Sequence, residues 1–179
     1  MIHSSGGINL IIRPEKHEFH PHYQPYIDLI PSGDLIMILE QQIEETLRLL
    51  EGLTEAEGVR HYASGKWTVK EVIGHIADTE RIMAYRLLVI CRGEQHEFRG
   101  YNDESYVKQA GFNEQTMAWH MKNLLAVRQA TIMLMKGLQS SAWTLTGRAN
   151  GSSVTVLALA AIIAGHERHH VKILRDRYL

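Results

Sequence analysis

From Asp34 to the C-terminus, apolar residues recur at steps of three and four, and this spacing constrains the fold more than any other feature of the chain. Leu35, Ile38, Leu39, Ile43, Leu47 and Leu50 form one such face, the pattern of a helix with one side against a core. Ser32 or Asp34 can cap its start and Gly52 can end it. Thr68-Val69-Lys70-Glu71 reads as a capping box that satisfies the free amides at the start of a second helix. That helix is expected to run to about Arg92, with Gly93 as its stop. Asn113 is expected to cap a third helix, from Glu114 to about Leu138, and Ser152 or Ser153 a fourth that reaches about Arg177. The stretch from Glu94 to Asn113 reads as a long connection with a short helix, Asp103 to Ala110, ended by Gly111. No run alternates well enough to call a strand, although the N-terminal segment or residues 143–149 can hold a short pair. The expected fold class is all-α: a four-helix bundle over residues 32–179, behind an arm of residues 1–31. The arm carries Pro14, Pro21, Pro25 and Pro31, a density that opposes helix and predicts extended or irregular chain.

Composition narrows the function classes. A chain of 179 residues buries roughly 70% of its unfolded surface, enough for one core without staples. A net charge of −1 gives no strong field for nucleic acid or an anionic membrane. The single cysteine, Cys91, excludes a disulfide framework and a multi-cysteine zinc finger, and is read as a small buried hydrophobe. The apolar run Ile8 to Ile12 is too short for a signal-peptide core, and Val154 to Ala164 falls short of the ~20 residues of a membrane span. The expectation is a cytoplasmic protein with neither nucleic acid nor membrane as partner.

The chain holds 11 histidines, and their positions matter more than their number. On the last helix, Thr155, Leu159, Ile162, Ile163, His166, His170 and Ile173 share a face at 100° per residue. His166 and His170 therefore interrupt the apolar stripe one turn apart and project the same way. Two imidazoles at i and i+4 can hold one metal ion, and Glu167 follows the first as in the helical zinc motif of metalloproteases. The alternative is a pair of core histidines bonded to backbone or to each other, at a cost of a few kcal/mol if left unmated. A metal site needs a third protein ligand. His75, bordering the stripe of Val72, Ile76, Met83 and Leu87, is one candidate, with Glu71, Thr79, Ile82 and Arg86 on its side; His120 on the third helix is a rival, and periodicity does not choose between them. His17, His20 and His22 are read as an exposed arm, His169 as surface or as support to the pair, and His61 and His96 as isolated.

The segment Gly65-Lys66-Trp67-Thr68-Val69-Lys70-Glu71-Val72-Ile73-Gly74-His75-Ile76-Ala77-Asp78-Thr79-Glu80-Arg81 resembles the second-helix signature of the DinB-like superfamily, in particular its YfiT-like group of metal-dependent hydrolases and thiol S-transferases. Ala164-Gly165-His166-Glu167-Arg168-His169-His170 resembles the final-helix signature of the same family. The likeness runs from about residue 25 to the end. It implies a four-helix bundle with a divalent metal, commonly zinc or nickel, held by His75, His166 and His170, and so favours His75 over His120. Relatives include transferases that use bacillithiol, mycothiol or glutathione, and dimers are frequent among them. The resemblance does not imply DNA binding or DNA polymerase activity.

Three neutral imidazoles would leave a divalent ion its full charge and open positions. A water bound there would titrate near neutral pH, and a thiol would lose its proton. The expected function is a metal-dependent thiol S-transferase or hydrolase acting on a small molecule; the alternative is a non-enzymatic bundle in which the ion is structural or sensed. Asp78 and Glu71 are the carboxylates nearest His75 in sequence, and are candidates for a supporting or general-base role against a solvated face or, for Glu71, the cap alone. Arg86 and Arg168 can hold an anionic substrate, or form surface ion pairs.

Overall fold

The structure is a computed structural model and describes residues 13–179. The first twelve residues of the arm, with the Ile8–Ile12 run, lie outside the described residues. The rest of the arm is irregular, with extended residues at Glu15, Phe19 and His20 between short helical turns. Pro21 and Pro25 each start a helical turn, the first in a 3-10 turn Pro21–Tyr23 and the second in the short helix α1 (Gln24–Ile27). In a first turn the missing N–H costs nothing and the fixed φ helps, so the prolines that oppose long helices here begin short ones. Phe19, Ile27 and Ile30 are buried in the core.

Four long helices follow: α2 (Leu35–Leu50), α4 (Val69–Cys91) after the short α3 (Glu55–Gly58), α6 (Met117–Lys136) and α7 (Val156–Arg177). Between α4 and α6 run strand β1 (Glu97–Phe98) and α5 (Asp103–Ala110); β2 (Thr146–Ala149) and β3 (Ser152–Thr155) precede α7. The capping box forms as expected: Thr68 Oγ1 accepts from Glu71 N at 3.1 Å, and Glu71 Oε2 accepts from Thr68 N at 2.7 Å. Asp34 caps α2 through Met37 N at 3.0 Å.

Two helix starts differ from expectation. Thr116, not Asn113, caps α6 through Trp119 N. Gly111 ends α5 in the left-handed region at φ 62, and Asn113 bonds back to Thr68 Oγ1 at 2.7 Å and Glu71 Oε1 at 3.0 Å, bracing the start of α4. Ser152 and Ser153 belong to a strand, and Thr155 caps α7. Asn150 and Gly151 both take positive φ, 52 and 76, and link two strands in antiparallel register from Ala149 opposite Ser152, the geometry of a two-residue hairpin turn. β1 adds in parallel to β2. The helical fold thus carries a three-stranded sheet, order β1-β2-β3, at the start of α7.

In the bundle α4 packs on α6 and α7, and α2 on α6 and α7. Helices consecutive in the chain are therefore diagonal at two of three steps. The hairpin insertion and α3 supply the extra length such crossings need. α7 is buried on every side from Val156 to Glu167, so its apolar stripe is a full cylinder over that half. A helix enclosed all round reads apolar all round. Among the described residues, no helix is long and apolar enough to cross a membrane.

Two apolar clusters fill the bundle, and a charged layer separates them. Arg128 is fully buried; its Nε and Nη2 donate to Glu80 at 2.9 and 2.8 Å, Nη2 also to Glu167 at 2.6 Å, and Nη1 to the Leu39 carbonyl at 3.1 Å. Thr46 donates to Glu167 at 2.6 Å, and Gln42 donates to it as well. All four long helices meet in this network. Burial opposes the Arg128 charge, and the carboxylates of Glu167 and Glu80 outweigh it, raising its pKa. Buried charge is tolerated here because nearly every donor has an acceptor.

Candidate metal centre

His75 projects from α4, and His166 and His170 from α7, where these two helices pack together. His75 Nε2 lies 3.0 Å from His166 Nε2, and His170 Nε2 lies 3.1 Å from the same atom. The donor atoms of all three lie within 4.8 Å of one another. His166 is 6% and His75 5% exposed, and His170 is half-buried. Burial lowers the His75 pKa to about 4, against a smaller rise from Asp103. Burial and the neighbouring His75 and His169 lower His170 to about 3, and burial with the other imidazoles holds His166 well below the usual range. At neutral pH all three rings are neutral.

Close backbone packing sets these rings in place. A Cβ at Gly165 would fall inside contact distance of the Tyr26 carbonyl. The missing side chain lets α1 lie against α7, and Tyr26 meets His166 edge-on at 5.5 Å between ring centroids and His169 at 5.1 Å. Gly74, before His75, likewise admits the Phe112 ring, 2.5 Å from where a Cβ would stand. Trp67 covers the opposite side, 4.7 Å from the His75 ring and stacked on His170 at 6.4 Å. Its indole donates to Glu104 at 3.2 Å.

The histidines border a cavity of about 420 Å³. α4 lines it with His75, Thr79, Met83 and Arg86 in that order, the arm with His22, Tyr23 and Tyr26, the α4–α5 connection with Gly100 and Tyr101, and the start of α5 with Asp103. Asn150, from the hairpin turn, completes the wall. Tyr101 and Thr79 share a hydroxyl hydrogen bond of 2.7 Å. Burial raises the pKa of both Tyr26 and Tyr101, so their hydroxyls stay protonated and available as donors.

A family model described as the DinB superfamily matches residues 38–174. The chain belongs to the DinB superfamily. A search of curated proteins gives no match. Among solved structures, this DinB chain is similar to YfiT from Bacillus subtilis, described as a probable metal-dependent hydrolase with an unusual four-helix bundle topology; identity is 16%, the match covers 92% of this chain and 93% of that one, and the TM-score is 0.67. At that identity the likeness speaks to the fold.

The donor set of this DinB chain fits a divalent ion. Nitrogens about 2.0–2.1 Å from one ion stand about 3 Å apart when the angle between them is near 90–100°, and the two separations here are 3.0 and 3.1 Å. Hydrogen bonding accounts for the arrangement less well. A neutral imidazole Nε2 offers one proton or one lone pair, so His166 Nε2 cannot bond well to both neighbours together.

Other candidates fall elsewhere in the DinB bundle. His120 is buried on α6, within 2.8 Å of the Phe112 carbonyl and away from the cavity. Glu71 is engaged in the cap and with Asn113, and Asp78 pairs with Arg81 at 3.1 Å; neither lines the cavity. Glu167 turns away from the imidazoles into the Arg128 network, so its place after His166 does not give it the role it has in the metalloprotease motif. Arg168 lies outside the cavity, and its Nε is buried without a partner among the described residues. Cys91 is buried and free, its thiol donating to the Leu88 carbonyl. His17, His20 and His22 are exposed, yet His22 also reaches the cavity rim. Sequence reasoning missed Asp103, Tyr101, Tyr26 and Asn150. Tyr101 and Asn150 come from connections, Tyr26 from the arm and Asp103 from the first position of α5, and periodicity carries no information about where such segments fold back.

Proposed function

We propose that this protein is a metal-dependent enzyme, a hydrolase or a low-molecular-weight-thiol S-transferase, with a zinc or nickel ion held by His75, His166 and His170. The supporting observation is that three neutral, converging imidazoles border a cavity large enough for a small molecule. Structural sites are usually closed by four protein ligands, whereas three leave room for water or substrate. When bound, the ion supplies Lewis acidity that brings the deprotonation of a water or thiol toward neutral pH.

The chain's own residues have definable parts in such a reaction. Asp103 is the carboxylate among the cavity-lining residues and acts electrostatically on His75. In this reading it accepts the proton that the nucleophile loses, the role for which Asp78 and Glu71 are the candidates nearest His75 in sequence. The protonated hydroxyls of Tyr26 and Tyr101 can donate to a carbonyl or leaving group, with Thr79 orienting Tyr101. Trp67 and Tyr26 pack on the imidazoles, fix their rotamers and exclude water from two sides.

The test is elemental analysis of tag-free protein, paired with assays of ester and amide hydrolysis and of thiol addition to electrophiles. One equivalent of metal and turnover of at least one substrate are expected. His166→Ala removes a shared ligand and should weaken metal binding by about 100-fold or more, since even outer-shell changes cost 10–100-fold, and should abolish turnover. Stoichiometric metal whose removal lowers the Tm sharply, with no substrate consumed, would favour the non-enzymatic bundle. Absence of metal from the wild type would end both readings.

A further inference from the structure

Arg86 is 3% exposed and lines the cavity. Its Nη2 donates to the Arg99 carbonyl at 2.9 Å, Nη1 approaches Met83 Sδ at 3.7 Å, and the guanidinium lies 5.8 Å from the centroid of Phe98. It makes no ion pair among the described residues, and residues 1–12 contain no Asp or Glu that could supply one. The contrast with Arg128 is direct: one buried guanidinium holds two carboxylates, the other none. Arginine does not deprotonate in proteins, and an unpaired buried charge is costly. Five N–H donors in a fork match a carboxylate or phosphate, yet the described residues satisfy only part of that fork.

The geometry points to Arg86 as the anchor for an oxyanion carried by the substrate. His75, Thr79, Met83 and Arg86 are spaced i, i+4, i+8 and i+11 on one face of α4, and all four line the cavity. Eleven residues rise about 16 Å along a helix. The backbone positions of His75 and Arg86 therefore stand about three turns apart, with the hydroxyl of Thr79 and the thioether of Met83 between them on the cavity floor. The ligand class that fits is an organic carboxylate or phosphate with several atoms between the oxyanion and the group that reacts. The identity of the reacting end rests on the proposed metal-dependent function; the anchor does not.

The experiment titrates succinate, its uncharged analogue succinamide and inorganic phosphate, at matched ionic strength, into the full chain in metal-free and zinc-loaded forms. Calorimetry and Tm are read for the wild type, Arg86→Gln and Arg86→Lys. Succinate and phosphate are expected to bind the wild type and raise its Tm, with succinamide inert. Arg86→Gln, whose amide can still donate to the Arg99 carbonyl, should lose at least tenfold in oxyanion affinity, keep its zinc content and melt no lower than wild type without ligand. Arg86→Lys should retain part of the binding. Equal affinity in Arg86→Gln, equal binding of succinamide, or no binding of either oxyanion at millimolar concentration would overturn the assignment. Loss of folding in Arg86→Gln but not Arg86→Lys, with neither oxyanion stabilising the wild type, would make Arg86 structural and overturn it too. Failure to take up zinc, with succinate still bound through Arg86, would count against the metal reading alone.

Discussion

At the scale of single residues, the centre depends as much on absent side chains as on present ones. Gly165 sits mid-helix, where Ala would ordinarily gain about 1 kcal/mol in propensity. Here a methyl would meet the Tyr26 backbone, which has no rotamer to move aside. Gly165→Ala should therefore destabilise the protein by about 1–3 kcal/mol and shift Tyr26 off His166; a higher Tm by calorimetry would contradict this. The i, i+4 pair on the last helix and the candidacy of His75 were legible because ligand spacing on a helix is a property of the helix alone. The choice of His75 over His120 rests on a family resemblance; His75 stands beside His166 and His170 because α4 and α7 pack together at that level. Asp78 and Glu71 are the carboxylates nearest His75 in sequence. The cavity carboxylate is instead Asp103, 28 positions beyond His75, and nearness along the chain is a poor guide wherever a connection folds back.

At the scale of elements, the helices were legible and their ends less so. α4 starts at its capping box because the box is local, a reciprocal pair of bonds three residues apart. Asn113 and Ser153 have side chains suited to capping, but one is drawn to α4 and the other lies in a strand. The hairpin had a signal, Asn150-Gly151, the favoured pair for a tight two-residue turn, obscured because the flanking strands are only four residues each. Gly151 holds φ at 76, a conformation that costs other residues about 1 kcal/mol or more. Gly151→Ala should lower stability by about that amount in chemical denaturation. It should also disturb Asn150 at the cavity wall, seen as weaker binding of cavity ligands. A stability equal to wild type would argue that the turn relaxes freely.

At the scale of the whole molecule, burial of neutral histidines couples the fold to pH. Folded His75 and His170 titrate at about 4 and about 3, and burial also lowers His166, His120 and His169; the unfolded values lie near 6.5. Below about 6.5 the unfolded chain therefore binds protons that the folded chain refuses, and stability present above that pH is lost as pH falls toward about 3. Each histidine can add up to about 1.4 kcal/mol per pH unit to the slope in that window. Metal-free protein should show a steep, multi-proton loss of stability from about pH 6.5 downward in denaturant titrations at several pH values. A flat profile to pH 4 would show the imidazoles to be charged or solvated. The buried Glu80–Arg128–Glu167 network was not legible at all. Each of its members is an ordinary charged residue in sequence, and only the meeting of helices distant in the chain makes them partners.

The amino-acid order by itself determined the helices, the capping box and the paired imidazoles of α7, since all three depend on interactions within about four residues. Tertiary structure decided which helices are neighbours, that Glu167 serves Arg128 rather than the histidines, and that Asp103, Tyr101 and Arg86 face the same cavity. Those outcomes turn on how buried surface and charge are satisfied across the bundle. Local spacing carries no term for energies that exist only once distant segments have excluded water from one another.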